Sequence, residues 1–235
     1  MASGSYVDLP VSDGSSMRAY VASPAAGGAH PAIMVFQEAF GVNSHIRDVT
    51  DRFAGEGYLA MAPELFHRTG TGFEGAYGDF DAVRPHMEAV NQDGLQADVK
   101  ACCDWLGSQG TVDSAKICCV GYCMGGRVSY LANATVPLKA AISFYGGGIA
   151  TGLLGLTGKL AGPILLFWGG LDRHIGVDQI RAVEDSLREA GKTYANVVFS
   201  DADHGYFCDA RPSYNPRAAR ESWALALAFL KDHLG

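Results

Sequence analysis

Long apolar runs and clusters of basic residues are both missing from this chain of 235 residues. It has 18 Lys and Arg residues against 25 Asp and Glu residues, which gives a formal net charge of −7. Phosphate binding needs a basic patch, so this composition argues against a nucleic-acid partner. The apolar stretches fall far short of the roughly 18–20 residues that a transmembrane helix needs, so we expect no membrane partner either.

Targeting, disulfide and metal-binding signals are also absent. Residues 1–24 contain neither the basic segment nor the apolar segment of a signal peptide. Four of the six cysteines stand as sequence neighbours (102 with 103, 118 with 119), unlike a secreted disulfide framework, so we expect reduced thiols and a cytoplasmic protein. None of the seven histidines begins an H-E-x-x-H motif, and the thiols at 118, 119 and 123 lack the spacing of zinc ligands. We therefore expect no metal and no cofactor.

Short apolar runs alternate with longer amphipathic ones along the chain. "HPAIMVF", "KICCVGY", "KAAISFY" and "GPILLFW" are typical of buried strands, and "HIRDVTDRFAG", "LQADVKACCDWLG" and "VDQIRAVEDSLREAG" of helices. Such alternation predicts an α/β fold with a mostly parallel central sheet and helices on both faces. We expect residues 1–235 to form a single domain.

Residues 66–92 depart from this alternation. The segment is rich in glycine and aromatic residues and has a weak hydrophobic period, with a helix expected from Asp79 onward. It is interpreted as a lid or pocket wall inserted into the domain. The alternative is a solvated insertion without a role.

The stretch "GYCMG" places Cys123 in the G-x-C-x-G pattern of a nucleophile elbow. A sharp strand-to-helix turn requires glycine two positions on either side, here Gly121 and Gly125. The N-terminus of the following helix favours the thiolate form, and the N–H group of Met124 is placed to bind an oxyanion. A chance match is the alternative, because the pattern is short. The other cysteines of the strand and of the "ACCDW" helix are interpreted as structural.

A cysteine nucleophile needs a base, and the base needs an orienting carboxylate, in the chain order nucleophile, acid, histidine. Asp172 and His204 follow the apolar strands "ILLFW" and "NVVF" in that order. His174 lies close to Asp172 in sequence and is expected to line the pocket. Asp178 stands at a helix start, where an acidic residue usually interacts with the helix dipole.

Four segments together resemble the dienelactone hydrolase family of α/β-hydrolases. They are "QEAFGVNSHIRDVTDRFAGEGYLAMAPELF", "GYCMGG", "GGLDRHI", and "DADHGYF" followed by "RPSYNPRAARESW". The resemblance extends from about Tyr20 to the C-terminal helix and implies the α/β-hydrolase fold. It also implies a Cys–Asp–His triad, which falls on Cys123, Asp172 and His204.

The same resemblance implies roles for two residues of the loop "QEAFG". Glu38 is expected near the resting thiol, where it helps to generate the thiolate when substrate arrives. The N–H group of Ala39 is expected to pair with that of Met124 as the oxyanion hole. A carboxylate at the end of a buried strand is costly to desolvate, so Glu38 should have a raised pKa or a partner. The alternative is an ordinary loop carboxylate.

One position departs from the family pattern. Dienelactone-cleaving members bind the substrate carboxylate with arginines, one of them shortly after the catalytic histidine, where this chain has Cys208. Arg211 and Arg84 are left as alternative anchors for a carboxylate. Several aromatic residues are expected in the pocket wall, each with a core or surface position as the alternative: Phe40, Tyr77, Tyr145, Trp168 and Phe207.

These observations predict a hydrolase that cleaves small-molecule activated carboxylic esters or lactones through a cysteine nucleophile. The alternative is a promiscuous hydrolase of aryl esters and phosphotriesters, because the same oxyanion donors suit a phosphoryl oxygen. A third hypothesis is a non-catalytic redox or binding module that uses a reactive thiol. Nothing in the sequence indicates an oligomeric state.

Overall fold

The computed structural model of the chain describes residues 4–235, so residues 1–3 of the predicted domain lie outside it. Across the described residues the strands are β1 (Ser5–Pro10), β2 (Ser16–Ala22), β3 (His30–Phe36), β4 (Leu59–Pro63), β5 (Val112–Tyr122), β6 (Ala140–Phe144), β7 (Ile164–Gly169) and β8 (Tyr194–Phe199). The α-helices are α1 (Ser44–Gly55), α2 (His67–Gly70), α3 (Phe80–Ala89), α4 (Gln92–Ser108), α5 (Met124–Asn133), α6 (Ile149–Gly152), α7 (Val177–Glu189) and α8 (Pro216–Leu234). A 3-10 helix covers Leu154–Lys159. None of these helices combines the length and apolar character needed to cross a membrane.

The chain divides into two compact units, Met1–Cys119 and Val120–Gly235. In the first unit the strand order is β1-β2-β4-β3-β5. Strand β2 pairs antiparallel with β1 and with β4, whereas β3 and β4 are parallel, with Ile33 opposite Ala60. Helix α1 buries Ile46, Val49 and Phe53 on one face, in agreement with the helix predicted for "HIRDVTDRFAG".

In the second unit the last residues of β5 are followed in the sheet by β6, β7 and β8. β6, β7 and β8 are parallel neighbours, with Ile142 opposite Leu165 and Leu166 opposite Asn196. Parallel strands end at the same edge, so the residues that follow β6, β7 and β8 lie together. Across both units the pairing is mostly parallel, which confirms the prediction.

The segment 66–92 contains α2 and α3. Helix α3 begins directly after Asp79, whose Oδ1 accepts a hydrogen bond from the N–H of Ala82 at 3.1 Å. The expected helix from Asp79 onward is therefore confirmed. Whether the segment acts as a lid, and whether residues 1–235 form one domain, stay predictions.

Candidate active site

Cys123 lies between the end of β5 and the start of α5, in a backbone conformation that is rare outside glycine. Its φ of 56° and ψ of −116° place it in a strained region for an L-residue. The turn is held by hydrogen bonds at 3.0 Å from the Cys123 N–H to the Phe144 carbonyl and from the Gly126 N–H to the Cys123 carbonyl. Cys123 is half-buried. This geometry is the elbow that the glycine spacing predicts.

The glycines around Cys123 are required by close backbone approaches. A Cβ atom on Gly121 would collide with the carbonyl of Gly125. A Cβ atom on Gly126 would lie 2.5 Å from the Phe144 carbonyl oxygen and 2.8 Å from the Cα of Gly146. The third glycine therefore lets α5 pack against the end of β6, a tertiary reason that sequence spacing could not reveal.

Three side chains form one hydrogen-bonded chain in this unit. The Nε2 atom of His204 lies 3.1 Å from the Sγ atom of Cys123. The Nδ1 atom of His204 lies 2.7 Å from Oδ2 of Asp172. The other carboxylate oxygen, Oδ1, accepts hydrogen bonds from the N–H groups of His174 at 2.7 Å and Ile175 at 3.2 Å. Because Asp172 is anchored through one oxygen, the other oxygen is held toward the imidazole.

The electrostatics of the pair favour an ionised carboxylate beside a protonated imidazole. Burial lowers the pKa of His204, but its hydrogen bonds to Asp172 and Cys123 outweigh burial and raise the pKa from 6.5 to about 10. Burial raises the pKa of Asp172, but the hydrogen bonds from His204, His174 and Ile175 outweigh it, and the net shift is downward. An imidazolium held 3.1 Å from a sulfur atom stabilises negative charge on that sulfur.

The rings of Tyr145 and His174, two residues predicted to line the pocket, flank His204. The Tyr145 ring centroid lies 5.1 Å away and that of His174 lies 5.4 Å away. Tyr145 is fully buried and has a φ of 38°, which is the second strained non-glycine conformation among the described residues. The run of glycines after "FY" is the sequence signal for an unusual turn there, but it does not show which residue takes the strain.

The loop after β3 carries Glu38 and Ala39. Both are buried, Glu38 completely and Ala39 with 3% exposed. Gln37 fixes the start of this loop, because its side chain accepts a hydrogen bond from the Leu65 N–H at 3.0 Å. Glu38 thus lies in a buried loop directly after a strand, as expected. Its approach to the thiol and the oxyanion role of Ala39 stay predictions.

The remaining predicted pocket aromatics are buried to different extents. Phe40 is 2% exposed, and Tyr77 packs against it. Trp168 is buried in β7, and its indole N–H donates to the side-chain oxygen of Asn196. Phe207 is buried against Tyr122, Phe144 and Trp223. Their role as pocket walls stays a prediction.

The arginines differ in their surroundings. Arg84 is exposed, with 63% of its side chain accessible, and pairs with Asp81 on the same helix. The guanidinium of Arg211 packs against Gly205, the residue directly after His204. Arg127 of α5 is a third arginine, which is not among the candidates predicted from the sequence. Its half-buried side chain lies 3.3 Å from the position that a Cβ on Gly148 would take.

Comparison with known proteins decides the family. The model of the "Dienelactone hydrolase family" matches residues 17–234. The chain belongs to this family. A protein of Synechocystis sp. named "Putative carboxymethylenebutenolidase" is 36% identical over 213 residues, covering 87% of each chain. The chain is therefore a dienelactone hydrolase-like hydrolase, and the resemblance stated above is confirmed.

Solved structures show the fold. The crystal structure of "Putative Dienelactone Hydrolase" from Klebsiella pneumoniae has a TM-score of 0.87 and 33% identity, and covers 97% of this chain and 98% of that chain. A "Dienelactone Hydrolase-like Promiscuous" phosphotriesterase from metagenomic libraries has a TM-score of 0.85. It is 22% identical and covers 99% of this chain and 100% of that chain, so the likeness concerns the fold alone. The predicted α/β-hydrolase fold is confirmed.

Proposed function

We propose that this dienelactone hydrolase-like protein cleaves small-molecule activated carboxylic esters or lactones through a thioester on Cys123. The observation that carries the proposal is the continuous chain from the Cys123 Sγ through His204 to Asp172, with distances of 3.1 and 2.7 Å. A nucleophile bonded to a base that is oriented by a third group is the arrangement that covalent acyl transfer needs.

In the first half-reaction the Cys123 thiolate attacks the carbonyl carbon, and a C–S bond forms while the carbonyl oxygen becomes an oxyanion. The N–H groups of Met124 and Ala39 are the proposed donors to that oxyanion. Each donor lowers the activation free energy by roughly 3 kcal/mol. The His204 imidazolium then gives its Nε2 proton to the leaving oxygen as the C–O bond breaks. The products are a thioester on Cys123 and a free alcohol or enol.

In the second half-reaction His204 Nε2 takes a proton from water, and the resulting hydroxide attacks the thioester. The C–S bond breaks, the thiolate leaves, and the acid is released. Asp172 keeps the proton on Nδ1 and stabilises the imidazolium, which loses its Nε2 proton in the first half-reaction and forms again in the second. Substrates with stable leaving groups, such as aryl esters and enol lactones, suit a thiolate nucleophile best.

Glu38 is the proposed proton acceptor for the resting thiol. Its complete burial supports this role, because a buried carboxylate binds a proton more readily than an exposed one. Transfer of the thiol proton to Glu38 would leave a thiolate at the moment that substrate enters. A reactive thiolate also needs reducing surroundings, and the proposal therefore includes a cytoplasmic location.

The experiment is a substrate panel of p-nitrophenyl acyl esters, a dienelactone and diethyl p-nitrophenyl phosphate. Wild type is compared with Cys123→Ala and Cys123→Ser. We expect ester or lactone turnover by wild type and its loss in Cys123→Ala. Full ester turnover by Cys123→Ala would contradict the cysteine mechanism. A wild type that binds but never turns over any substrate would support the redox or binding module instead.

A second candidate, cleavage of neutral aryl phosphotriesters, is favoured by Cys208, a fully buried residue that stands where the family resemblance implies an arginine in dienelactone-cleaving members. The same oxyanion donors would then stabilise the phosphoryl oxygen. The phosphate triester in the panel tests it. Faster release of p-nitrophenol from that triester than from the acyl esters would make this the main activity.

A further inference from the structure

Residues 73–80 lie against the loop that follows Glu38. We call residues 39–43 the oxyanion loop and residues 73–80 the clamp. The N–H of Gly75 donates to the Phe40 carbonyl at 3.0 Å, and Gly41 pairs with Glu74 in an isolated antiparallel bridge. The backbone of the clamp therefore holds the carbonyl of the residue directly after Ala39.

The backbones of the two segments are in close contact at Gly41. Gly41 has a φ of 81°, and a Cβ atom there would collide with the carbonyl oxygen of Phe73. Glycine is needed at this position for its left-handed conformation and for its missing side chain. The conformation of the oxyanion loop and the position of the clamp thus depend on each other.

Side chains add two further links. One guanidinium nitrogen of Arg47, Nη1, donates to the Val42 carbonyl at 2.6 Å and to Oε1 of Glu74 at 2.5 Å. The side-chain NH2 group of Asn43 donates to the Tyr77 hydroxyl at 3.0 Å. The side-chain oxygen of Asn43 caps α1 by accepting a hydrogen bond from the Ile46 N–H. The end of the oxyanion loop is thereby tied to both the clamp and a helix start.

Aromatic packing encloses the loop from the same side. The Phe40 ring meets Tyr77 edge-on, with centroids 4.8 Å apart, and lies 5.7 Å from the Phe80 ring. Ala39, Phe40 and Val83 form one buried cluster, against which Phe73 and Tyr77 pack. Ala39 is therefore held in the apolar contact between the loop and the segment that contains the clamp.

We propose that the clamp positions the Ala39 N–H for the developing oxyanion, and that Tyr77 and Glu74 act as positioning residues. This inference rests on the proposed function. An oxyanion donor stabilises the transition state only if its direction is fixed before reaction. Loss of one clamp link would let the Ala39 peptide move, and a displacement of about 1 Å can cost about 10²-fold in rate.

Two readouts separate this positioning role from a general structural one. Acylation by a p-nitrophenyl ester forms an oxyanion, whereas alkylation of Cys123 by iodoacetamide does not.

Tyr77→Phe keeps the ring but removes the hydrogen bond that Asn43 donates to the hydroxyl, and Glu74→Gln weakens the contact with Arg47. We expect each to lower the burst rate of acylation about fivefold to tenfold, as loss of one hydrogen bond would. We expect the alkylation rate and KM to stay close to wild type.

Tyr58→Phe and Glu88→Gln, in the same unit but outside the clamp, are matched controls that should keep both rates. Acylation at the wild-type rate in both clamp variants would overturn the inference. An equal fall in acylation and alkylation would also overturn it, because the residues would then affect the thiol or the fold. A wild type that is alkylated but releases no p-nitrophenol would overturn the proposed function and the inference together.

Discussion

The six cysteines differ sharply in their surroundings. Cys102, Cys118, Cys119 and Cys208 are fully buried, and burial raises the pKa of Cys102, Cys103 and Cys118. Cys123 is half-buried and lies beside a histidine. Thiolate character and access together decide the rate of alkylation, so one site should dominate.

We expect substoichiometric iodoacetamide to label Cys123 first, with loss of ester turnover in proportion to labelling. Peptide mapping by mass spectrometry identifies the modified residue. Cys103, which is partly exposed, is the internal comparison. Early labelling of Cys103 or Cys208 while Cys123 stays unmodified would refute the elbow assignment.

The His204–Asp172 pair makes stability depend on pH. Because the pKa of His204 rises on folding from 6.5 to about 10, the folded state holds a proton that the unfolded state loses between these values. The contribution of this pair to the free energy of unfolding is fully present below about pH 6.5 and is lost as the pH rises through about 10. Urea unfolding at several pH values should therefore show a free energy of unfolding that falls across this window.

Asp172→Asn should weaken that dependence, because one of the two groups that raise the pKa of His204 is gone and only Cys123 remains. It should also lower turnover, by up to about 10⁴-fold if the wrong imidazole tautomer results. Asp104→Asn, an exposed position on α4, serves as the matched control. A pH dependence of stability that is the same in wild type and Asp172→Asn would show that the pair is not its source.

Glu38 offers a test of thiolate formation. Glu38→Gln keeps the size of the side chain but removes its ability to accept the thiol proton. We expect lower turnover and a shifted acidic limb of the pH–rate profile, with thermal stability retained. A profile that matches wild type in position and height would leave Glu38 as a buried carboxylate without a part in the reaction.

At the scale of secondary-structure elements, the contact between α5 and the end of β6 depends on Gly126. Gly126→Ala would place a Cβ atom 2.5 Å from the Phe144 carbonyl, and the backbone must shift to relieve it. We expect a loss of about 1–3 kcal/mol in the free energy of unfolding, as for other overpacked sites, together with lower activity. Chemical denaturation measures the first and p-nitrophenyl ester turnover the second.

Gly107→Ala is the control, because nothing lies within 4 Å of the added Cβ in α4. Alanine is favoured over glycine inside a helix, so this change should be neutral or stabilising by about 0.5–1 kcal/mol. If Gly126→Ala were as stable as Gly107→Ala, the packing explanation for the third glycine of "GYCMGG" would be wrong.

Elements with strong local patterns were predictable from the sequence, and others were not. The buried strands β3, β5, β6 and β7 show continuous apolar runs, and α1 and α7 show clear amphipathic spacing. Strand β1 was missed because most of its residues are exposed, and β2 because Ser16 and Arg18 interrupt its apolar run. Helix α4 begins at Gln92, three residues before the quoted pattern, because Asn91 provides the cap.

The candidate site shows the same division. Cys123, Asp172 and His204 could be proposed together because each follows a strand and the chain order is restrictive. The strain at Tyr145 could not be predicted, since it depends on contacts between residues far apart in sequence. The bridge between Gly41 and Glu74 is equally non-local, and no short motif encodes it.

At the scale of the whole molecule, charge should influence which substrates react. The net charge of −7 opposes the approach of anions, and Cys208 stands where dienelactone-cleaving relatives are expected to carry an arginine. A substrate carboxylate would then lack a charge-assisted hydrogen bond of roughly 1.5–3 kcal/mol, which corresponds to about tenfold to hundredfold in kcat/KM. We expect neutral aryl esters to react faster than matched esters that carry a free carboxylate.

The test uses one neutral and one carboxylated ester with the same leaving group, at low and high salt. If the net charge of the protein contributes, higher salt should reduce the difference in kcat/KM between the neutral and the carboxylated ester, because salt screens exposed charges. Three variants test whether an arginine binds the substrate carboxylate: Arg211→Ala, Arg127→Ala and Arg84→Ala. The guanidinium of Arg211 packs against Gly205, whereas Arg84 is exposed and paired with Asp81. If wild type prefers the carboxylated ester and any of the three alanine variants loses that preference, an arginine anchors the substrate carboxylate, and a dienelactone-like substrate becomes the better assignment.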